Sequence, residues 1–183
     1  MRYISKGELQ QQTGDMITVM HYGQRLSIGD ADAQIWLAGQ GGLNQAEERL
    51  LCNLAGRGLI SCTETIGNET IEVFRVLSGC ILVPRRRFAI GKKTSIEREV
   101  LTWLRFAGLR MTIAELVQLR TQGIAPVATL LGESNRQALV ETLYTTTNIA
   151  DLVLEAQMEH SPSMPLVVDG VLQLIRKGAV SVL

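Results

Sequence analysis

The sequence predicts a helix-rich α+β fold, and three observations predict it. Apolar stripes at helical spacing recur from residue 94 to residue 177, whereas short β-branched or alternating runs lie near residues 16, 60 and 180. Gly, Asn and Pro punctuate these runs at short intervals. Aromatic residues are 4% of the chain while 46% is apolar, so Leu, Ile, Val and Ala must build the core. That composition suits small helical or mixed domains better than a β-sandwich. At 183 residues the chain reads as two small units, 1–90 and 91–183. The boundary falls in the basic run Arg85, Arg86, Arg87, Lys92 and Lys93.

The opening segment, residues 1–13, is polar, glutamine-rich and without a clear period, which predicts a frayed arm or a short helix. Residues 16–22 are β-branched and aromatic and predict a strand that Gly23 ends. Residues 25–28 supply a short partner. Asp30 is placed to cap a helix with Ala33, Ile35, Trp36 and Leu37 on its apolar side, and the glycines from 39 to 42 stop it.

Asn44 then reads as an N-cap, with Glu47 at the capping-box position. Ala46, Leu50, Leu51 and Leu54 form the stripe of the next helix. Gly58 falls at C′, where a left-handed φ costs little only for glycine. Residues 60–63 alternate as a strand. Gly67-Asn68 reads as a tight turn and residues 71–84 as a returning strand, bent at Gly79 and closed by Pro84.

The second half is read as helical. Thr94 or Ser95 caps a helix to Ala107, with Ile96, Val100, Leu101, Trp103 and Leu104 inward, and Gly108 interrupts. Thr112 caps another through Leu119, ending near Gly123. Pro126 opens a further segment, divided by Gly132 or Ser134 from a helix over 136–144. Asn148 caps a helix over 149–159. Leu166, Val167, Val171, Leu172, Leu174 and Ile175 form a last stripe, stopped by Gly178, and residues 179–183 read as a strand.

The end of the chain echoes its middle. Leu51, Leu54, Arg57, Gly58, Ile60 and Ser61 match Val171, Leu174, Lys177, Gly178, Val180 and Ser181 at a constant offset. Each set describes an amphipathic helix, a basic residue, a glycine and an apolar strand.

Residues 44–83 resemble the recognition helix and wing of winged helix-turn-helix transcriptional regulators. The likeness centres on Leu-Leu-x-x-Leu-x-x-x-Gly-Leu-Ile from Leu50 to Ile60 and covers about a quarter of the chain. The resemblance implies a helix offered to the DNA major groove and a wing beside the backbone. With the echo as a second winged-helix-like unit, it implies a tandem DNA-binding regulator that could pair as a homodimer. The contacts would be Asn44, Gln45, Arg49, Asn53 and Arg57, with Arg85, Arg86, Arg87, Lys92 and Lys93.

Charge pulls the other way. Lys plus Arg and Asp plus Glu both number 18, and each side of Ile90 carries nine of each sign. A non-specific nucleic-acid binder normally has a basic excess. Glu64, Glu69 and Glu72 would make the wing acidic, and residues 133–170 hold only Arg136 against six acids. The alternative is therefore a non-catalytic protein–protein interaction module that reuses the winged-helix fold and docks through the acidic C-terminal surface or the wing.

Chemistry-bearing patterns are not found. His21 and His160 are isolated, and Cys52, Cys62 and Cys80 lack ligand spacing, so neither metal nor disulfide framework is expected. No phosphate-binding loop or nucleophile elbow occurs. No cofactor and no enzymatic activity are expected. No leader or long apolar run is read, which places the expected location in the cytoplasm, off the membrane.

Overall fold

A computed structural model describes residues 1–85, 92–106, 111–126, 141, 143, 144 and 151–183. Arg86, Arg87 and the expected breaks at Gly108, Gly132, Ser134 and Asn148 lie outside these residues. So does most of the helix expected over 136–144, within which Glu141 and Leu143 are helical.

The fold is mixed α+β. The first segment is neither an arm nor a helix but two strands, β1 (Arg2–Ser5) and β2 (Glu8–Thr13). β1 is the middle strand of a sheet with β5 (Asn44–Gln45) and β6 (Ile60–Thr63) on its flanks. β2 is an edge strand that exposes Gln10 to Thr13, so no buried face writes an alternation into its sequence. β3 (Met16–His21) and β4 (Gln24–Ile28) complete an antiparallel meander with β2, as their residues predict. Ile17, Val19 and His21 turn inward at period two.

α1 (Asp30–Ala38) has Gly29, not Asp30, as its N-cap, and Asp30 instead takes a left-handed φ of 52° in the first turn. Asn44 does not cap the following helix. Pairing of Tyr3 with Asn44 and Arg2 with Gln45 claims that backbone for β5, so α2 (Glu48–Gly56) starts later, with Glu47 at its N-cap. Leu51 and Leu54 are buried beneath it, while Leu50 is exposed.

The expected returning strand is a helix, α3 (Glu69–Ser78). Asn68 is its N-cap: the Oδ1 accepts the Ile71 N–H at 3.2 Å. Val73, Val76, Leu77 and Cys80 are buried at i, i+3, i+4 and i+7. There is thus no wing hairpin, and β6 pairs with β1 instead. Asn68→Ala is expected to cost about 1 kcal/mol as a lost N-cap, read as a lower denaturant midpoint at unchanged m. An unaltered midpoint would mean that Asn68 caps nothing.

Glu72 secures the same corner. Its buried carboxylate accepts the N–H groups of Ile66 and Gly67 at 2.7 and 2.8 Å and the Arg2 Nε at 3.1 Å. Burial alone would raise its pKa, but these donors outweigh burial and hold it below the usual value. The contact therefore stabilises the fold fully above the ordinary glutamate pKa of about 4.3. Its contribution is lost as pH falls through the lower folded value. Stability should depend less steeply on pH in that window in Glu72→Gln than in the unaltered protein, as acid titrations at fixed urea would show.

The remaining described elements are β7 (Leu82–Pro84), α4 (Ser95–Phe106), α5 (Ile113–Thr121), α6 (Asp151–Met158), α7 (Met164–Arg176) and β8 (Val180–Val182). Thr94 and Glu97 exchange capping-box bonds at 3.2 Å each, and Thr112 with Glu115 forms a second box. Ile96, Val100, Leu101, Trp103 and Leu104 are all buried. The expected stripe of α7 is buried except Leu166, which is exposed.

The echo is a matching local geometry. Gly58 and Gly178 have φ of 68° and 66°. Leu59 N–H donates to Leu54 O at 2.9 Å, and Ala179 N–H to Leu174 O at 2.8 Å. Both corners are Schellman-type stops that turn a helix into a strand.

Buried apolar residues form two clusters. The smaller joins Tyr3, Ile17, Val19, Trp36, Leu54 and Leu59 with their neighbours. The larger is built from α3 to α7, β7 and β8, and takes Ile4 from β1. α3 and β7, which precede residue 90, belong to this larger cluster.

Candidate functional site

The residues expected to contact DNA are placed on different elements, and most already hold internal partners. Asn44 Nδ2 donates to Ala38 O at 3.2 Å, and its Oδ1 accepts the Gln45 N–H at 2.7 Å. Arg49 Nε donates to Glu47 at 2.6 Å, between two exposed side chains. Asn53 donates to the Asp32 carboxylate. Arg57 donates to Ser27 O at 2.9 Å. Asn53 and Arg57 thereby brace α2 against α1 and β4. Lys92 is exposed, and its carbonyl accepts Lys177 Nζ at 3.4 Å. Arg85 stands elsewhere, on the ladder of β7 and β8.

That ladder is the floor of a groove. β7 and β8 pair antiparallel, Leu82 with Val182, Val83 with Ser181 and Pro84 with Val180. Alternation turns Leu82, Val180 and Val182 into the larger core. Val83 and Ser181 take the other face, with Ile81 and Leu183 before them and Arg85 after. The strand period, not a helix or a loop, thus aims Arg85 into the groove.

Two adjoining clefts lie over this face, and a third runs along β8, where Val180, Ser181 and Val182 all line it. One of about 350 Å³ is bounded by Met20, Tyr22, Gly23 and Leu183. One of about 490 Å³ is bounded by Leu9, Gln40, Pro84 and Arg85, and shares Glu8, Val83 and Ser181 with the first. One of about 230 Å³ lies between Ser5, Gln40 and Gly41 on one side and Arg85, Arg176 and Gly178 on the other. Ser181 lines all three.

The opposite wall is the start of the β-meander. Gly7 N–H donates to Val182 O at 2.7 Å and pins the wall to the edge of β8. A Cβ at Gly7 would stand 2.7 Å from Met20 O, and its φ is +96°, so only glycine fits there. A register shift between Leu9 and Gln11 bulges β2 beside the cleft. Tyr22 and Gly23 form a two-residue turn with φ of 46° and 80°, the pattern of a type I′ hairpin. A tyrosine at positive φ is strained, and this one is half exposed at the groove mouth.

The groove holds few titratable groups. Arg85 Nε is buried and lacks a hydrogen-bond partner. The Glu8 carboxylate is 3.6 Å from it, an ion pair too long to be a hydrogen bond. Outside the groove, burial and then the charge of Lys6 lower the pKa of His21, whose Nδ1 is also buried without a partner. Burial pushes the Cys80 thiol up to about 11 and raises that of Cys62, so neither is poised as a thiolate. Among the described residues no cluster of His, Cys, Asp or Glu is arranged to hold a metal ion. Nor is any helix among them long and apolar enough to cross a membrane.

Sequence reasoning reached Arg85 through its basic neighbours, but not Glu8, Tyr22, Gln40, Ser181 or Arg176. The Tyr22-Gly23 pair at a strand end was the one local signal available. No protein-family model, curated protein or solved structure matches the chain.

Proposed function

We propose that this protein is a non-catalytic interaction module that holds an extended segment of a protein partner in the groove over β7 and β8. The observation that carries this reading is that three clefts adjoin along the β7–β8 ladder, from Leu183 to Arg85, with Ser181 lining each. At a rise of about 3.3 Å per residue, the floor from Ile81 to Arg85 is about 13 Å long, enough for about four extended residues. The floor offers Val83 and Leu183 beside Ser181 and Arg85, and the walls offer Leu9, Met20 and Tyr22 beside Glu8 and Gln40, so a bound segment meets apolar and polar groups along its length. A duplex reader draws less support, because Asn44, Arg49, Asn53 and Arg57 are engaged within the chain and no returning strand follows β6 as a wing.

The test is selection of random dodecapeptides displayed on phage against the immobilised full chain, followed by amide shift mapping with the selected peptides. Related sequences are expected, with shifts concentrated at Glu8, Tyr22, Val83 and Ser181, and Tyr22→Ala should weaken them. Failure to select any family of sequences, or shifts confined to other surfaces, would overturn the reading. So would tight binding of mixed genomic DNA fragments, falling steeply with salt, if it perturbed α2 rather than the groove.

A further inference from the structure

We infer that the end of the groove bounded by Arg85 and Arg176 is a carboxylate-binding site. Arg85 Nε is withdrawn from water yet bonded to nothing, an arrangement that costs free energy until an acceptor arrives. Arg176, at the C-terminal end of α7, is exposed, lines the same 230 Å³ cleft and has no hydrogen bond or ion pair to the described residues. Two guanidinium groups with unused donors therefore border one small cavity. Their planar forks match a carboxylate better than a spherical anion.

The local charge balance favours a singly charged, planar acceptor. Against the two guanidinium charges stand the Glu8 carboxylate and the C-terminal ends of α1 and α7, each worth about half a negative charge. The sum is close to neutral, and Glu69 and Asp169 border Arg176 across a neighbouring cleft, so no positive field draws a dianionic phosphate. Binding rests on directed N–H groups, so its salt dependence should be shallow. Glu8 is 43% exposed and swings free at little cost when a ligand carboxylate replaces it beside Arg85.

The carboxylate has two sources: the chain terminus of a bound segment, or a small free acid. The first rests on the groove reading above, and the second does not. The experiment follows the Nε–Hε signals of the full chain in ¹⁵N correlation spectra, with Arg85→Gln and Arg176→Gln used to assign them. The probes are sodium acetate and sodium succinate against sodium chloride at equal ionic strength, and one selected peptide with a free or an amidated C-terminus.

A saturable shift of the Arg85 signal is expected with a carboxylate probe and none with chloride. Loss of either arginine should weaken binding at least about tenfold, and Glu8→Gln should tighten it several-fold by removing the competing carboxylate. Amidation that weakens the peptide about tenfold assigns the site to a chain terminus. Saturation by acetate or succinate without sensitivity to amidation assigns it to a free acid.

If peptides bind the groove, amidation has no effect and no acid probe saturates, the carboxylate site is overturned while the groove reading stands. If no peptide binds but an acid saturates, the groove reading falls and the site stands. Shifts unchanged when Arg176 is replaced, or weakened by Glu8→Gln, also overturn the site. Arg176 is exposed, so Arg176→Gln tests the site on an intact fold even if Arg85→Gln perturbs the packing of β7.

Discussion

Trp36→Ala is expected to lower stability by about 3–5 kcal/mol, the range for truncating a buried large aromatic side chain. Trp36 has no exposed surface and sits in the smaller cluster between α1 and β1. Its indole Nε1 donates to Lys6 O at 3.1 Å, and its own carbonyl accepts the Ser5 Oγ at 2.6 Å. The side chain therefore fills space and fixes the turn that leads from β1 to Gly7, the residue that pins the groove wall to β8. Trp36→Phe keeps most of the volume and loses the indole donor, so about 1–2 kcal/mol is expected from the hydrogen bond.

Trp103 is the internal contrast. It is equally buried, but its Nε1 has no partner, so Trp103→Phe forfeits only volume. Urea unfolding of the four proteins should rank the unaltered chain and Trp103→Phe above Trp36→Phe, and Trp36→Ala last. A Trp36→Ala midpoint close to that of the unaltered protein would show that the indole is not a core element.

Phe74→Ala is the second large effect, also about 3–5 kcal/mol, and it tests how the two clusters depend on each other. Phe74 is 1% exposed on α3, which packs on β6 and β1 and also on α5 and α7. The Arg75 guanidinium adds a forked bond to Glu159 at 2.7 and 3.1 Å, joining α3 to the segment between α6 and α7. α3 is thus shared by the first sheet and the helical cluster.

Single-tryptophan proteins report the clusters separately, Trp36 for the smaller and Trp103 for the larger. Phe74→Ala should lower the unfolding midpoint seen by both reporters, as one cooperative unit requires. A shift at Trp103 alone would show that the clusters unfold independently and that α3 belongs only to the helical one.

How much could be read in advance follows from how local each signal is. Thr94 and Thr112 announce α4 and α5 because their partners, Glu97 and Glu115, lie three residues on. Gly58 and Gly178 mark their corners because a left-handed φ is a property of one residue. The stretch of α3 reads as a strand because Ile71, Val73, Arg75 and Leu77 satisfy period two, while Val73, Val76, Leu77 and Cys80 satisfy the helical period. Both templates fit, and the choice was made by Asn68 capping and by packing on β6 and β1. β2 gives no strand signal because Gln10 to Thr13 are exposed and Leu9 alone of its residues packs on the core, so nothing imposes an alternation. Of the candidate site, Arg85 was legible as a charge, but its role was not.

What the sequence determined by itself is the set of local stops and stripes: where α1, α4, α5 and α7 run, which of their faces are apolar, and where helices turn into β6 and β8. What the tertiary structure alone decided is which strand edges meet. β6 closed on β1 rather than on a hairpin partner, β7 closed on β8 across the length of the chain, and the bond from Gly7 to Val182 set the meander beside them. The physical reason is range. A cap or a left-handed glycine is satisfied within a few residues, whereas a strand edge is indifferent to its partner until burial on one face selects the register. The groove is built wholly from such choices, so Glu8, Gln40, Arg85, Arg176 and Ser181 become a site only in the folded chain.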